Sequence, residues 1–366
     1  MQVSELTVVG IPKERKANEG RVAATPALVG RLVQSGVRVH VEAGAGVRSG
    51  FTDRDYRDAG ARIIHDARRL WRYSRVILKV KEPVGPELKW LHEDITLLCY
   101  LHLAAEPLVT AALLASGGVA VGLETMLDLS GHAPMLAPMS EVAGRMAALE
   151  GAWLLAKHPE AMGKYIGCVS GVAPAQVVVL GAGSAGREAI RSLIGFGAKV
   201  TVIDVSSDAR QGVREEFPHI SVVELAETDW QVKNCDLLIA SAYRPGERAP
   251  VLVSRGLVRQ MRKGSVIVDI AIDQGGCVES SRPGTHAKPV YVYKGVVHYA
   301  VPNMPGAVPR TSTQAFSSAL EPHLLRLFSS DDPRLVIYQD PVWRSGINVA
   351  GHEIIHHGVQ RAYLTQ

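Results

Sequence analysis

An apolar run at residues 176–180 leads straight into Gly181, Gly183 and Gly186, a complete G-x-G-x-x-G spacing. The chemistry this serves is the grip on a pyrophosphate. The first glycine permits a tight turn from strand to helix, the second lets the phosphates approach the backbone, and the third lets helix pack on strand. Free N–H groups at the helix start then hold the anion. Such glycines also occur in purely structural turns, so the context matters. Here a second apolar run ends at Asp204, 18 residues past Gly186, where a carboxylate can accept hydrogen bonds from both hydroxyls of an adenosine ribose. The same carboxylate repels a 2′-phosphate. Val205, Ser206 and Ser207 offer no cation to offset it, which favours NAD over NADP, and Arg210 is the nearest basic side chain.

Hydride transfer involving a small acid needs three further things: a cation for the carboxylate, a group that trades a proton, and a dry space. Arg21 follows the irregular loop KERKANEG, and its planar guanidinium could take a carboxylate in two-pronged fashion, although loop arginines are mostly solvated. Lys81 ends an apolar run in LKVKEP, with Pro83 stopping the ladder; Lys79 has the same parity and rivals it. His102 sits in the apolar LLCYLHLAA, a setting that disfavours the charged imidazole and equally suits a satisfied core histidine. Later apolar runs nominate the loops that follow them. VDIAIDQGG places Asp269 inside a run, read as a capped buried carboxylate, and Asp273 just before two glycines, while VPNMPGAVP sets Asn303 and Met304 between prolines. Near the end stands His352-Glu353-Ile354-Ile355-His356, a literal H-E-x-x-H that on a helix would suit a zinc hydrolase. An exposed tail rich in histidine, with His357 adjoining, is the simpler reading.

The elements that must position these residues are short Val/Ile/Leu runs alternating with amphipathic stretches, the rhythm of βαβ units around parallel sheets. Strands are expected at 6–11, 37–41, 76–80, 96–100 and 119–123, with helices at 26–34, capped by Thr25, and at 107–115. A second series is expected at 176–180, 199–203, 237–240, 265–270 and 296–300. Helices over 140–157 and 313–328 should carry the chain between the two series and back. The fold class is therefore α/β, with two Rossmann-like parallel-sheet domains and a cofactor domain inserted into a discontinuous one. The divisions are 1–134 and 310–366 for the substrate domain, the latter with the return helix, and 135–309 for the NAD-binding domain.

Composition agrees with this picture. The 366 residues are 47% hydrophobic and 21% charged, which suits a packed globular protein of two domains. A net charge of +4, without a block of basic residues, gives no reason to expect nucleic acid. The four cysteines lack C-x-x-C spacing, so neither a disulfide framework nor a metal site is expected, and a reducing cytoplasm is. No stretch approaches the ~18 apolar residues that span a bilayer.

Read together and in order, GIPKE, NEGRVAATP, LKVKEP, LHLAA, LAPMSEVAGRMAA, VVVLGAGSAG, VDIAIDQGGC and VPNMPGAVPRTST resemble the alanine dehydrogenase family along nearly the whole chain. The resemblance implies NAD-dependent, reversible oxidative deamination of L-alanine to pyruvate and ammonia by a cytoplasmic homo-oligomer, usually a hexamer. It further implies that Arg21 and Lys81 bind substrate, that His102 is the acid/base group and Asp273 the second catalytic residue, and that Met139 and Asn303 line the pocket. Cofactor contacts would fall on Ser140, Gly181, Gly183, Gly186, Asp204, Ala271, Ile272, Asp273, Arg282, Asn303 and Met304. The chain departs from the family pattern at Ala209, where a basic residue is usual and Arg210 follows, and in the loop SAYRPGERAP with Tyr243 and Arg244. The rival readings are the NAD-binding subunit of proton-translocating transhydrogenase and a related opine or lysine-type dehydrogenase.

Overall fold

The structure, a computed structural model, describes residues 7–242, 249–330 and 332–364. Tyr243 and Arg244, and Leu6 at the expected start of the first strand, lie outside the described residues. The chain divides into two compact units, Met1–Met139 with Val308–Gln366, and Ser140–Ala307.

The first unit is built on an eight-stranded sheet. From edge to edge it runs Glu353–Ile354, Ile347–Ala350, Val119–Gly122, Thr96–Tyr100, Val76–Lys81, Val8–Ile11, Arg38–Glu42 and Arg62–Ile64. All pairings are parallel except those of Ile347–Ala350 with its two neighbours. Parallel strands covered on both faces read as continuous apolar runs, and alternate residues feed two separate cores. Val76, Leu78 and Leu98 pack with Phe316, Leu320 and Leu324 on one face; Ile77, Leu97 and Ala120 pack with Leu70, Trp71 and Leu113 on the other. From Val8–Ile11 the chain builds outward in one direction, then returns to place Val76–Lys81 on its other side. Beyond the strand ends at such a reversal is the usual seat of a ligand in sheets of this kind.

One irregularity in this sheet matters for chemistry. Leu78 pairs with Leu98, but the next partner of Tyr100 is Lys81, so Val76–Lys81 carries an extra residue. A bulge of this kind re-aims the side chains that follow it. The parity that would make Lys79 and Lys81 equivalent is thereby broken. Lys79 is fully buried and paired with Glu14 at 3.2 Å and Glu87 at 3.0 Å, a structural role, whereas Lys81 sits opposite Tyr100 at the strand end. Glu14 also accepts the N–H of Val80 at 2.6 Å, satisfying backbone that the bulge takes out of the ladder.

The second unit holds a seven-stranded sheet in the order Val290–Tyr293, Val296–Tyr299, Val266–Asp269, Leu237–Ala240, Gln176–Leu180, Lys199–Ile203 and Ser221–Val223. It is parallel apart from the first pair. Its reversal lies between Gln176–Leu180 and Leu237–Ala240.

Helices fall close to the expected positions. Pro26–Gln34 is capped by the Thr25 hydroxyl accepting from the Leu28 N–H. Ala137–Lys157 begins three residues before the Ser-Glu pair suggested, and Pro309–Leu327 begins four residues early because Pro309 occupies the first turn, where its missing N–H costs nothing. None of the helices among the described residues is long and apolar enough to cross a membrane.

Candidate active site

In the first unit the loops after three neighbouring strands converge. Arg21 lies on the loop after Val8–Ile11, Lys81 ends Val76–Lys81, and His102 follows Thr96–Tyr100. The loop bearing Arg21 is fixed by its backbone: Val22 N–H donates to Thr313 Oγ1 at 3.1 Å and Thr25 N–H to Ser317 Oγ at 2.9 Å, two hydroxyls one turn apart on Pro309–Leu327. Ser49 adds a bond to the Gly20 carbonyl at 2.9 Å. Arg21 is consequently buried, contrary to the solvated loop arginine its sequence context also allowed. Glu19 grips one edge of the guanidinium, with Nε at 2.7 Å and Nη2 at 2.5 Å, and Nη1 reaches the Met139 sulfur at 3.2 Å. The Nε–Nη2 fork thus holds Glu19.

Lys81 Nζ lies 3.1 Å from His102 Nε2. An ammonium can only donate, so this geometry assigns Nε2 as acceptor and puts the ring proton on Nδ1. His102 adopts φ 49° and ψ 34°, the left-handed region that a non-glycine residue occupies only when its surroundings impose it. Its ring is open to solvent on one side yet crowded by protein on the others. That crowding, reinforced by the charges of Lys81, Lys16 and Arg21, pushes the imidazole down to about 3. The ring is neutral at neutral pH and able to accept a proton. The opposing charges come from acids that the sequence reading missed. Lys16 pairs with Glu82 and, at 3.4 Å, with Glu106. Glu19 is the sharpest case: burial alone would raise it, but the hydrogen bonds and charge of Arg21 outweigh burial and hold it at about 2.

The depressed Glu19 carboxyl makes a pH-dependent contribution to stability. Its unfolded value is near 4.5, so the contribution is complete above that pH and lost as pH falls from 4.5 toward 2. A drop of this size is worth about 3 kcal/mol. Glu19→Gln should lose about that much at neutral pH, with the gap between the two proteins closing across this window in urea titrations. A gap independent of pH would refute the pairing.

In the second unit the geometry of the three glycines fits the roles their spacing suggests. Gly181 has φ 99°, and a Cβ there would lie 2.8 Å from the Ala242 nitrogen. A Cβ on Gly186 would collide with the Gly181 carbonyl oxygen, the signature of helix packed directly on strand. Around Gly183 a Cβ would meet nothing within 4 Å, so the chain leaves open space at the start of Ser184–Gly195 where a pyrophosphate needs to approach. Asp204 lies against this loop, with Oδ2 accepting from Ala182 N–H at 2.7 Å and Oδ1 from Ser206 N–H at 2.8 Å. These residues fit a dinucleotide. Arg210 is not turned to a 2′-phosphate: its Nη1 donates to the carbonyls of Asp204 at 2.7 Å and Val205 at 3.1 Å, and Nη2 lies 3.7 Å from Glu224. The ratio of kcat/KM for NAD over NADP should exceed about 100-fold, the effect of a like-charge clash worth roughly 2.7 kcal/mol. Equal use of both cofactors would overturn the assignment.

The remaining candidates can be placed individually. Both carboxylate oxygens of Asp273 accept the N–H of Asn303, at 3.1 and 3.2 Å, and Asn303 is itself left-handed with φ 56°. Ala271 and Ile272 are buried in the turn Ile270–Gln274, and Met304 in Met304–Ala307. Met139 is buried beside Arg21, and Ser140 follows it on the helix. Arg282 is exposed and stacks over the Tyr291 ring at 4.3 Å. Asp269 is buried and accepts the N–H groups of Cys277 and Val278, both at 3.2 Å, the capping role read from its setting.

The H-E-x-x-H spacing near the end, already the less favoured reading, does not fall on a helix. His352 lies in a turn, Glu353–Ile354 is a strand, and helix begins only at His357, so the two imidazoles never share a helical face. His352 Nδ1 instead lies 2.8 Å from the Leu114 carbonyl.

The chain is similar to known proteins along nearly its whole length. The family model described as "Alanine dehydrogenase/PNT, N-terminal domain" matches residues 10–143, and its C-terminal counterpart matches residues 147–357. The alanine dehydrogenase of Mycolicibacterium smegmatis is 48% identical over 326 residues, 87% of each chain. A solved L-alanine dehydrogenase superimposes with a TM-score of 0.93 at 40% identity, covering 98% of this chain and 99% of its own. A transhydrogenase from Sinorhizobium meliloti gives a TM-score of 0.83 at 25% identity, covering 95% and 100%.

Proposed function

The chain belongs to the alanine dehydrogenase/PNT family, and from that premise we propose that it is an NAD-dependent alanine dehydrogenase, interconverting L-alanine and water with pyruvate and ammonia. The observation that carries this reading is the meeting of Arg21, Lys81 and His102 at the reversal point of one sheet, with Lys81 Nζ 3.1 Å from His102 Nε2. A site with a guanidinium, an ammonium and a neutral imidazole recognises a small anion and moves protons beside it.

Gly181, Gly183, Gly186 and Asp204 would hold NAD, together with Ser140, Ala271, Ile272, Arg282 and Met304 by family resemblance. When bound, NAD would supply the hydride acceptor for oxidation of the amine to an imine. Arg21, its plane fixed by Glu19, holds the substrate carboxylate from the Nη1 side beside Met139. Lys81 donates to the carboxylate or to the carbonyl oxygen of pyruvate. The substrate's negative charge offsets the three cations that depress His102, moving the imidazole back toward its working range. His102 then takes a proton as water adds to the imine carbon and returns one to nitrogen as ammonia leaves. By family resemblance Asp273 assists with water, and both its carboxylate oxygens accept the Asn303 N–H.

The family resemblance also supports a cytoplasmic homohexamer, which light scattering would size. The deciding experiment is a screen of alanine, glycine, serine, larger amino acids and opine-type compounds with NAD, following NADH formation. Alanine should give the highest kcat/KM; activity confined to lysine derivatives or opines, or none without membrane partners, would refute the reading.

A further inference from the structure

The strand Val119–Gly122 lies beside Thr96–Tyr100 with Gly122 opposite Cys99. Two residues past Gly122, Glu124 reaches the backbone of Leu101 and His102, two and three residues past Cys99. Its Oε1 accepts the N–H of Leu101 at 3.1 Å and of His102 at 2.7 Å, and its Oε2 also accepts from Leu101 at 3.1 Å. These are the amides immediately before and at the residue with φ 49°. A carboxylate is an acceptor with two oxygens, so one side chain can hold two consecutive N–H groups pointing the same way.

We infer that Glu124 is a positioning residue whose carboxylate clamps the left-handed backbone of His102 and thereby aims the imidazole at Lys81 and the substrate. This rests on the alanine dehydrogenase reading for its kinetic consequence, though not for the clamp itself. A histidine released from this backbone conformation relaxes toward the common regions of φ and ψ and swings its ring away from the reacting carbon. Misplacement of a reacting group by about 1 Å costs on the order of 100-fold in rate. Binding of the cofactor, whose proposed contacts all belong to the second unit, should be spared.

The test uses the full-length enzyme in two backgrounds. Glu124→Ala should lower kcat for alanine about 100-fold while the alanine KM and the NADH dissociation constant, read by fluorescence, stay within about twofold. In a His102→Ala background the same substitution should change kcat by less than about threefold, because there is no imidazole left to aim. Hydrogen exchange at the Leu101 and His102 amides should accelerate at least about tenfold while Cys99, inside the strand, is unchanged. Glu124→Gln keeps one acceptor oxygen and turns an NH₂ group toward the Leu101 amide, so its loss in kcat should be intermediate, roughly tenfold. That variant decides the matter should the alanine variant fail to fold. Equal losses in the two backgrounds, or unaltered exchange at residues 101 and 102, would overturn the clamp. Should the wild-type protein not oxidise alanine at all, the functional reading falls while the exchange measurement still decides on the clamp.

Discussion

His102→Ala should lower kcat for alanine oxidation by about 10²- to 10⁴-fold, the range typical of a positioned general acid/base, and leave NADH binding nearly intact. The expectation follows from protonation state before geometry. With the imidazole pushed down to about 3 by crowding and by Lys81, Lys16 and Arg21, the free enzyme presents a neutral imidazole near pH 7. Lys81 Nζ already engages Nε2, so the ring is aligned with the group proposed to meet the substrate. The residues proposed to hold the cofactor, from Ser140 to Met304, belong to the second unit. The measurement is a kcat and an NADH titration on the same preparation. Wild-type turnover in the variant would remove the acid/base role, and weakened NADH binding would point to a structural one.

Much of this site was legible because strands buried on both faces leave a simple mark. Continuous apolar runs such as residues 96–100 and 176–180 coincide with the observed strands Thr96–Tyr100 and Gln176–Leu180, and in such sheets function collects past the strand ends. Arg21, Lys81, His102, Gly181 and Asp204 all stand there. What the sequence hides is pairing. Short edge strands such as Arg62–Ile64 and Ser221–Val223 bury too little to leave a periodic signal. The bulge that separates Lys79 from Lys81 depends on register with Thr96–Tyr100, which no local pattern records. Glu19 and Glu124 were missed for a related reason: a glutamate near an arginine, or after an apolar run, reads as a solvated loop acid. Its partner becomes visible only when distant loops are brought together. The one usable signal was position, since Glu124 also stands just beyond a buried strand.

Lys81→Met provides the second large effect, and its two consequences have opposite signs on different observables. Losing one charge-assisted hydrogen bond to substrate, worth about 1.5 to 3 kcal/mol, should lower kcat/KM for reductive amination of pyruvate by about 10- to 150-fold. The same change removes the nearest cation from His102. A neighbouring positive charge disfavours the imidazolium, so deleting it stabilises the protonated ring and raises its pKa from about 3 toward, though not to, 6.5, because crowding remains the larger cause. Histidine ¹³C resonances, with His102 assigned by its disappearance in His102→Ala, would read this directly. The acid limb of the residual kcat/KM profile should move the same way, to higher pH, since a base that protonates more readily is lost sooner as pH falls. An unchanged titration in Lys81→Met would mean that the 3.1 Å approach of ammonium and imidazole does not persist in solution. A shift without loss of activity would assign Lys81 to tuning His102 and return the substrate's oxygen to Arg21 alone.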